Sequence, residues 1–182
     1  NLDYIFLISL AYQESHLTHN ARSGAGAVGI MKIRPATASA APINIKDVTK
    51  LENNIHAGTK YLRHVMETYF NDPLLTESER MYFTMAAYNA GPHRVERWLP
   101  KKEEQTADSW IALIPYSETR KYVQRILAYM AIYDWGMERP ATPIKKYMLE
   151  TLPNEAHKAS KENRRNQPPE LEHTCTKDTN SH

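Results

Sequence analysis

Apolar positions crowd the start of the chain. Leu2, Ile5, Phe6, Ile8, Leu10 and Ala11 leave almost no polar stripe, which predicts a buried helix over residues 2–16. It stops in the polar cluster Gln13-Glu14-Ser15-His16. Residues 18–34 lose the pattern and gain Asn20, Ser23, Gly24, Gly26 and Gly29, the composition of a loop or a small hairpin. Pro35 suits the first turn of a short helix that Pro42 stops. Over 52–70, Ile55, Leu62, Val65, Met66 and Tyr69 recur at three- and four-residue steps, an amphipathic helix. Thr76 and Glu79 have the spacing of a capping box for a helix through Tyr88, with Gly91 as its stop. Short helices are expected after Pro92, carrying Val95 and Trp98, and over 108–114. Ser117 is expected to cap a long helix that runs to Trp135 and ends at Gly136, with Tyr122, Val123, Ile126, Leu127 and Met130 facing inward. No alternating run is long enough for a sheet of any size. The fold class is therefore mainly α, one unit over 1–139. The polar extension 140–182 is expected to be largely disordered, because its last thirty residues are rich in Asn, Lys, Glu, Pro and Thr.

Composition narrows the functional classes. With 41% apolar and 24% charged residues, 182 residues can close one core of ordinary size. A net charge of +2 without a strongly basic stretch argues against nucleic acid as a partner. The longest apolar stretch, Tyr4 to Tyr12, is too short to cross a bilayer. Cys175 is the one cysteine and has no evident catalytic neighbour. The chain opens at Asn1 and runs at once into the apolar segment, as expected of a piece of a longer or processed protein.

Few residues are placed to do chemistry. Glu14 closes the apolar helix between Ala11 and Leu17. A carboxyl held against apolar neighbours keeps its proton to higher pH and can serve as a general acid near neutrality. A solvated helix-end glutamate paired with an arginine satisfies the same spacing. A glycosidase usually needs two carboxylates, yet no acid follows Glu14 until Asp47. Ala86-Ala87-Tyr88-Asn89-Ala90-Gly91 sets a hydroxyl and an amide at a helix end, where they can orient a sugar amide or simply terminate the helix. Tyr122 lies on an inward face, where its hydroxyl needs a partner, as any core tyrosine's does. His16 and His19 have no third ligand at metal spacing, so no metal site is expected. Gly24, Gly26 and Gly29 spell the dinucleotide-binding pattern, but a helix and not a strand precedes them, and the next helix starts late. They read better as turn glycines.

Taken in order, these segments resemble the catalytic domain of lytic transglycosylases of the soluble type, related to goose-type lysozyme. Gln13-Glu14-Ser15 looks like the family's first motif. Gly26-Ala27-Val28-Gly29-Ile30-Met31 followed by Arg34-Pro35-Ala36-Thr37-Ala38 looks like its second. Asn54-Ile55-His56-Ala57-Gly58-Thr59-Lys60-Tyr61-Leu62 resembles its third, and Ala87-Tyr88-Asn89-Ala90-Gly91-Pro92 its fourth. Pro115-Tyr116-Ser117-Glu118-Thr119-Arg120-Lys121-Tyr122-Val123 resembles its fifth. The resemblance runs from about Leu2 to Trp135, and five ordered motifs carry far more than any one of them.

The resemblance implies a lysozyme-like helical domain over 1–139 that acts on peptidoglycan strands without a cofactor, as a monomer in the periplasm or cell envelope. A domain upstream of this chain is expected. The bond implied is that between N-acetylmuramic acid and N-acetylglucosamine, cut without water to leave 1,6-anhydromuramic ends. By position Glu14 is the acid/base. Ser23, Met31, Lys32, Tyr88, Asn89 and Tyr122 line the substrate, and Ser15 and Gly29 support the site. One carboxyl then suffices, because the sugar's own 6-hydroxyl is the nucleophile. Lys32 stands where many members have Gln and Arg34 where many have Met. Lys32 is expected to lower the pKa of Glu14 or to bind substrate carboxylates. A hydrolytic muramidase on the same fold and a glycan-binding module remain the alternatives.

Overall fold

The computed structural model describes residues 2–99, 105–137 and 151–152. Its helices are α1 (Tyr4–Ser15), α2 (Pro35–Ser39), α3 (Leu51–Tyr69), α4 (Glu77–Ala90), α5 (Pro92–Trp98), α6 (Ala107–Ala112) and α7 (Ser117–Gly136). One antiparallel pair of two-residue strands, β1 (Gln105–Thr106) and β2 (Thr151–Leu152), completes the described elements. The fold is mainly helical, as the pattern predicts. The expected disordered extension over 140–182 lies outside the described residues except for β2. None of the described helices is long and apolar enough to cross a membrane.

The helix starts follow local chemistry. Asp3 caps α1 by accepting from the Ile5 N–H at 2.8 Å. Thr76 and Glu79 form the expected capping box on α4: the Thr76 hydroxyl accepts from the Glu79 N–H at 3.2 Å, and Glu79 Oε2 accepts from the Thr76 N–H at 2.7 Å. Ser117 does not cap α7. It is the first helical residue, and Tyr116 holds the cap position without a side-chain bond. Pro35 opens α2 as expected, although the helix stops at Ser39, before Pro42.

The helix with the continuous buried run is α4 rather than α1. Every residue from Tyr82 to Ala90 is buried, and α4 packs on α3, α5 and α7. Ala86, Ala87 and Ala90 allow this, since small side chains let backbones approach from several sides. α1 leans on α7 and leaves Tyr4 exposed. The inward face of α3 also differs from the apolar pattern. Ile55 is exposed, while Asn54, Ala57, Gly58 and Tyr61 are buried beside Leu62, Val65 and Tyr69. The helix turns its small residues and one amide inward because the 28–31 segment of the preceding loop lies against them.

That loop is small and hairpin-like, with isolated bridges Arg22–Val28 and Val28–Ile33. Gly26 and Gly29 have φ of 82° and 80°, the left-handed region in which glycine is unstrained. Here α1 precedes the glycines and no strand leads into them, so the dinucleotide pattern lacks its context.

Candidate active site

Glu14 is buried at the last turn of α1, with 6% of its surface open. Tyr122, on α7, donates its hydroxyl proton to Glu14 Oε1 at 2.6 Å. Burial in a low-dielectric setting raises the carboxyl's pKa from 4.5 to about 7, against smaller lowering effects of the Tyr122 hydrogen bond and the Lys32 charge. Lys32 thus acts in the expected direction, but burial outweighs it, and the acid keeps its proton close to neutrality. Among the described residues no other carboxylate is a cause of the shift.

α1 is tied to the loop through Ser15. Its hydroxyl donates to the Ile30 carbonyl at 2.8 Å and accepts from the Thr18 N–H at 3.1 Å. His16 and Leu17 follow in the left-handed region, at φ of 52° and 59°. Such backbone is costly for non-glycine residues. The chain therefore turns away at once beyond the acid.

The loop is clamped from two sides. Asn54, fully buried on α3, accepts from the Met31 N–H at 2.9 Å and donates to the Val28 and Val48 carbonyls at 2.8 and 2.9 Å. Tyr88, on α4, donates to the Met31 carbonyl at 2.8 Å. Gly29 leaves room for the Asn54 amide, since a Cβ there would fall within it. Gly58 receives the Met31 side chain, whose Cβ would lie 2.8 Å from an added methyl.

Asn89, the next residue of α4, accepts from the Thr119 hydroxyl at 2.7 Å. Thr119 lies one turn before Tyr122 on α7, so the two share a face. Ser23 bonds within its own turn, accepting from the Ala27 N–H at 3.0 Å.

Of the residues expected at the site, the structure joins Glu14 to Tyr122 and Tyr88 to Met31. It brings Lys32 into the field of Glu14 and links Ser15 and Gly29 to the loop geometry. Asn89 connects to α7 through Thr119, whereas no bond joins Ser23 to the others. Sequence reasoning assigned no role to Asn54 or Thr119. A polar residue in register with the small Ala57 and Gly58 was the signal for Asn54, and the three-residue step to Tyr122 was the signal for Thr119.

One buried, protonated acid beside a rigid loop can deliver a proton and recover it. Tyr122→Phe removes the hydrogen bond that favours the carboxylate. The alkaline limb of the activity profile should then move to higher pH. An unshifted limb would show that the hydroxyl does not govern this ionisation.

The structure is thus a helical domain with a buried acid at a helix end and a clamped glycine loop beside it. The transglycosylase SLT domain model matches residues 1–111, and the soluble lytic transglycosylase helical domain model matches residues 113–140. The chain belongs to the transglycosylase SLT domain family. It is 35% identical over 144 residues to the soluble lytic murein transglycosylase of Escherichia coli K12, covering 72% of this chain and 21% of that protein. It is 34% identical over 134 residues to the membrane-bound lytic murein transglycosylase F of Erwinia tasmaniensis, covering 70% and 26%. The chain therefore spans about a fifth to a quarter of the length of these relatives. Among solved structures it resembles an inactive glutamate-to-glutamine mutant of lytic transglycosylase Slt from Pseudomonas aeruginosa. The TM-score is 0.66 and the identity 32%, covering 82% of this chain and 24% of that one. The 70 kDa soluble lytic transglycosylase of Escherichia coli gives a TM-score of 0.63 at 33% identity, covering 81% and 24%.

Proposed function

We propose that this protein is a peptidoglycan lytic transglycosylase acting in the periplasm or cell envelope, with Glu14 as its single acid/base. The observation that carries the reading is the isolation of Glu14: a buried carboxyl with a pKa near 7 and no second carboxylate among the described residues acting on it. A conventional two-carboxylate hydrolysis has no local partner. The inactive glutamate-to-glutamine relative supports the same reading.

The steps follow from that one group. Glu14 gives its proton to the glycosidic oxygen between N-acetylmuramic acid and N-acetylglucosamine, and the C1–O bond breaks. The 6-hydroxyl of the muramic residue forms the new bond to C1 and returns its proton to the Glu14 carboxylate. The product is a 1,6-anhydro end, and no water is consumed. Tyr122 steadies the carboxylate between the two transfers, and no cofactor is needed. Ser23, Met31, Lys32, Tyr88 and Asn89 line the strand, with Ser23 orienting the 2-acetamido group. Ser15 and Gly29 hold the loop in place. The protein acts as a monomer, as part of a longer chain with a domain upstream.

The test is mass spectrometry of the fragments released from purified peptidoglycan. Anhydro ends, lighter by one water than reducing ends, are expected. Reducing ends would make the protein a hydrolytic muramidase. Binding without any release would make it a glycan-binding module.

A further inference from the structure

Among the described residues Lys32 has no salt-bridge partner. Its side chain is half-buried, yet no described residue forms a salt bridge or hydrogen bond with it. From Ser15 to Lys46 the chain contains no Asp or Glu at all, while Arg22, Lys32, Arg34 and Lys46 all lie in that span. Arg34 Nε is likewise buried without a hydrogen-bond partner. Cations with no carboxylate to compensate them nearby in the chain point to a negative charge supplied from outside.

The position of Lys32 is fixed rather than loose. Its backbone sits at φ 45°, in the left-handed region, which a lysine adopts only when its surroundings impose it. The Lys32 N–H bonds the Gly29 carbonyl at 3.0 Å. The preceding residue, Met31, is held at both its N–H and its carbonyl, by Asn54 and Tyr88. An ammonium launched from such a base reaches a defined volume. That volume adjoins the acid, because Ser15, the residue after Glu14, bonds the carbonyl of Ile30, two positions before Lys32, at 2.8 Å.

Resting on the transglycosylase reading, we propose that Lys32 is a specificity-determining residue that binds a free carboxylate on the muramic residue flanking the cleaved bond. The sugar rings themselves are neutral. The carboxylates near that bond belong either to the lactyl group of a peptide-free muramic acid or to a stem peptide attached to it. Both offer the same acceptor to an ammonium, at a charge-assisted hydrogen-bond distance.

Binding separates this inference from the reaction. Calorimetry on Glu14→Gln, which retains strands without turnover, compares peptide-free strands with the same strands after conversion of their carboxyls to amides. A second pair, peptide-bearing strands with free or amidated peptide carboxyls, distinguishes the two sources. In Glu14→Gln, amidation should weaken binding of one pair about tenfold. In Glu14→Gln/Lys32→Gln that ratio should fall to within about twofold. Glu14→Gln/Lys46→Gln loses the same net charge and should keep the tenfold ratio. Equal ratios with and without Lys32, or loss of the ratio in the Lys46 variant, would overturn the assignment. Discrimination that persists while the wild-type protein releases no anhydro ends would uphold the role of Lys32 and remove the transglycosylase reading.

Discussion

Glu14→Gln is expected to lower strand cleavage about a thousandfold, the scale of losing a positioned general acid, and at the same time to stabilise the protein at pH 8. The folded carboxyl holds its proton up to about pH 7, against an ordinary value of 4.5. Between those values the native state binds more protons than the unfolded chain, so stability falls as pH rises. The contribution of Glu14 is fully present below 4.5 and is lost as pH passes through about 7. Above that, folding must bury a charge. Glutamine has the same shape, carries no charge and still accepts from Tyr122. The variant should therefore gain about 3 kcal/mol over wild type at pH 8, or about 5–10 °C in melting temperature. The gain should shrink towards nothing at pH 4.5. Melting scans at both pH values decide the matter. Parallel pH profiles for the two proteins would mean that Glu14 is not desolvated in the native state.

Asn54→Ala should produce the opposite result, a large loss of stability with no change at any ionisable group. The amide satisfies the Met31 N–H and the Val28 and Val48 carbonyls, all from one fully buried position. Removing it strands those backbone groups away from water, at a cost of about 3–5 kcal/mol. Aspartate does not rescue it, because a carboxylate cannot donate to the two carbonyls. Gly29→Ala attacks the same contact from the other side, through its positive φ and its collision with the Asn54 side chain. Urea titration should show the lost stability in both variants. Cleavage rates in cool buffer, where the proteins remain folded, should fall as well, since the loop that carries Met31 and Lys32 is no longer fixed. An Asn54→Ala midpoint close to that of wild type would sink this account.

Local chemistry was legible in the sequence, and three-dimensional partnership was not. The Thr76–Glu79 box could be read from its spacing because every group it satisfies lies within one turn. The apolar helix around Glu14 made a buried acid one of two readings, the other being a solvated helix-end glutamate, and the ordered motifs decided between them. The orientation of α3 was misjudged by hydrophobicity, since Ile55 scores as core and Asn54 as surface. What decides the face is the neighbouring loop, which needs an amide and two small residues. All-round burial was expected for α1 and occurs in α4, whose Glu, Ser and Arg at the start hide the nearly continuous buried run behind them. Ser117 looked like a cap by residue type, but the chain enters α7 one residue earlier. The pairing of Glu14 with Tyr122 has no signature in composition or period. Only the ordered series of motifs brought those two residues into one site.

Glu14 and Tyr122 are 108 positions apart, and the two family matches divide between them, the first ending at residue 111 and the second beginning at 113. The boundary between homology units is therefore not a boundary between folding units. A ribosome that has released only the first unit has made the acid, but not the helix on which α1 rests. Until α7 emerges, Glu14 lacks its hydrogen bond from Tyr122, and α1 lacks the helix it packs on. The pairing of Glu14 with Tyr122 then arrives in a single late step of synthesis, when the two ends of the domain meet.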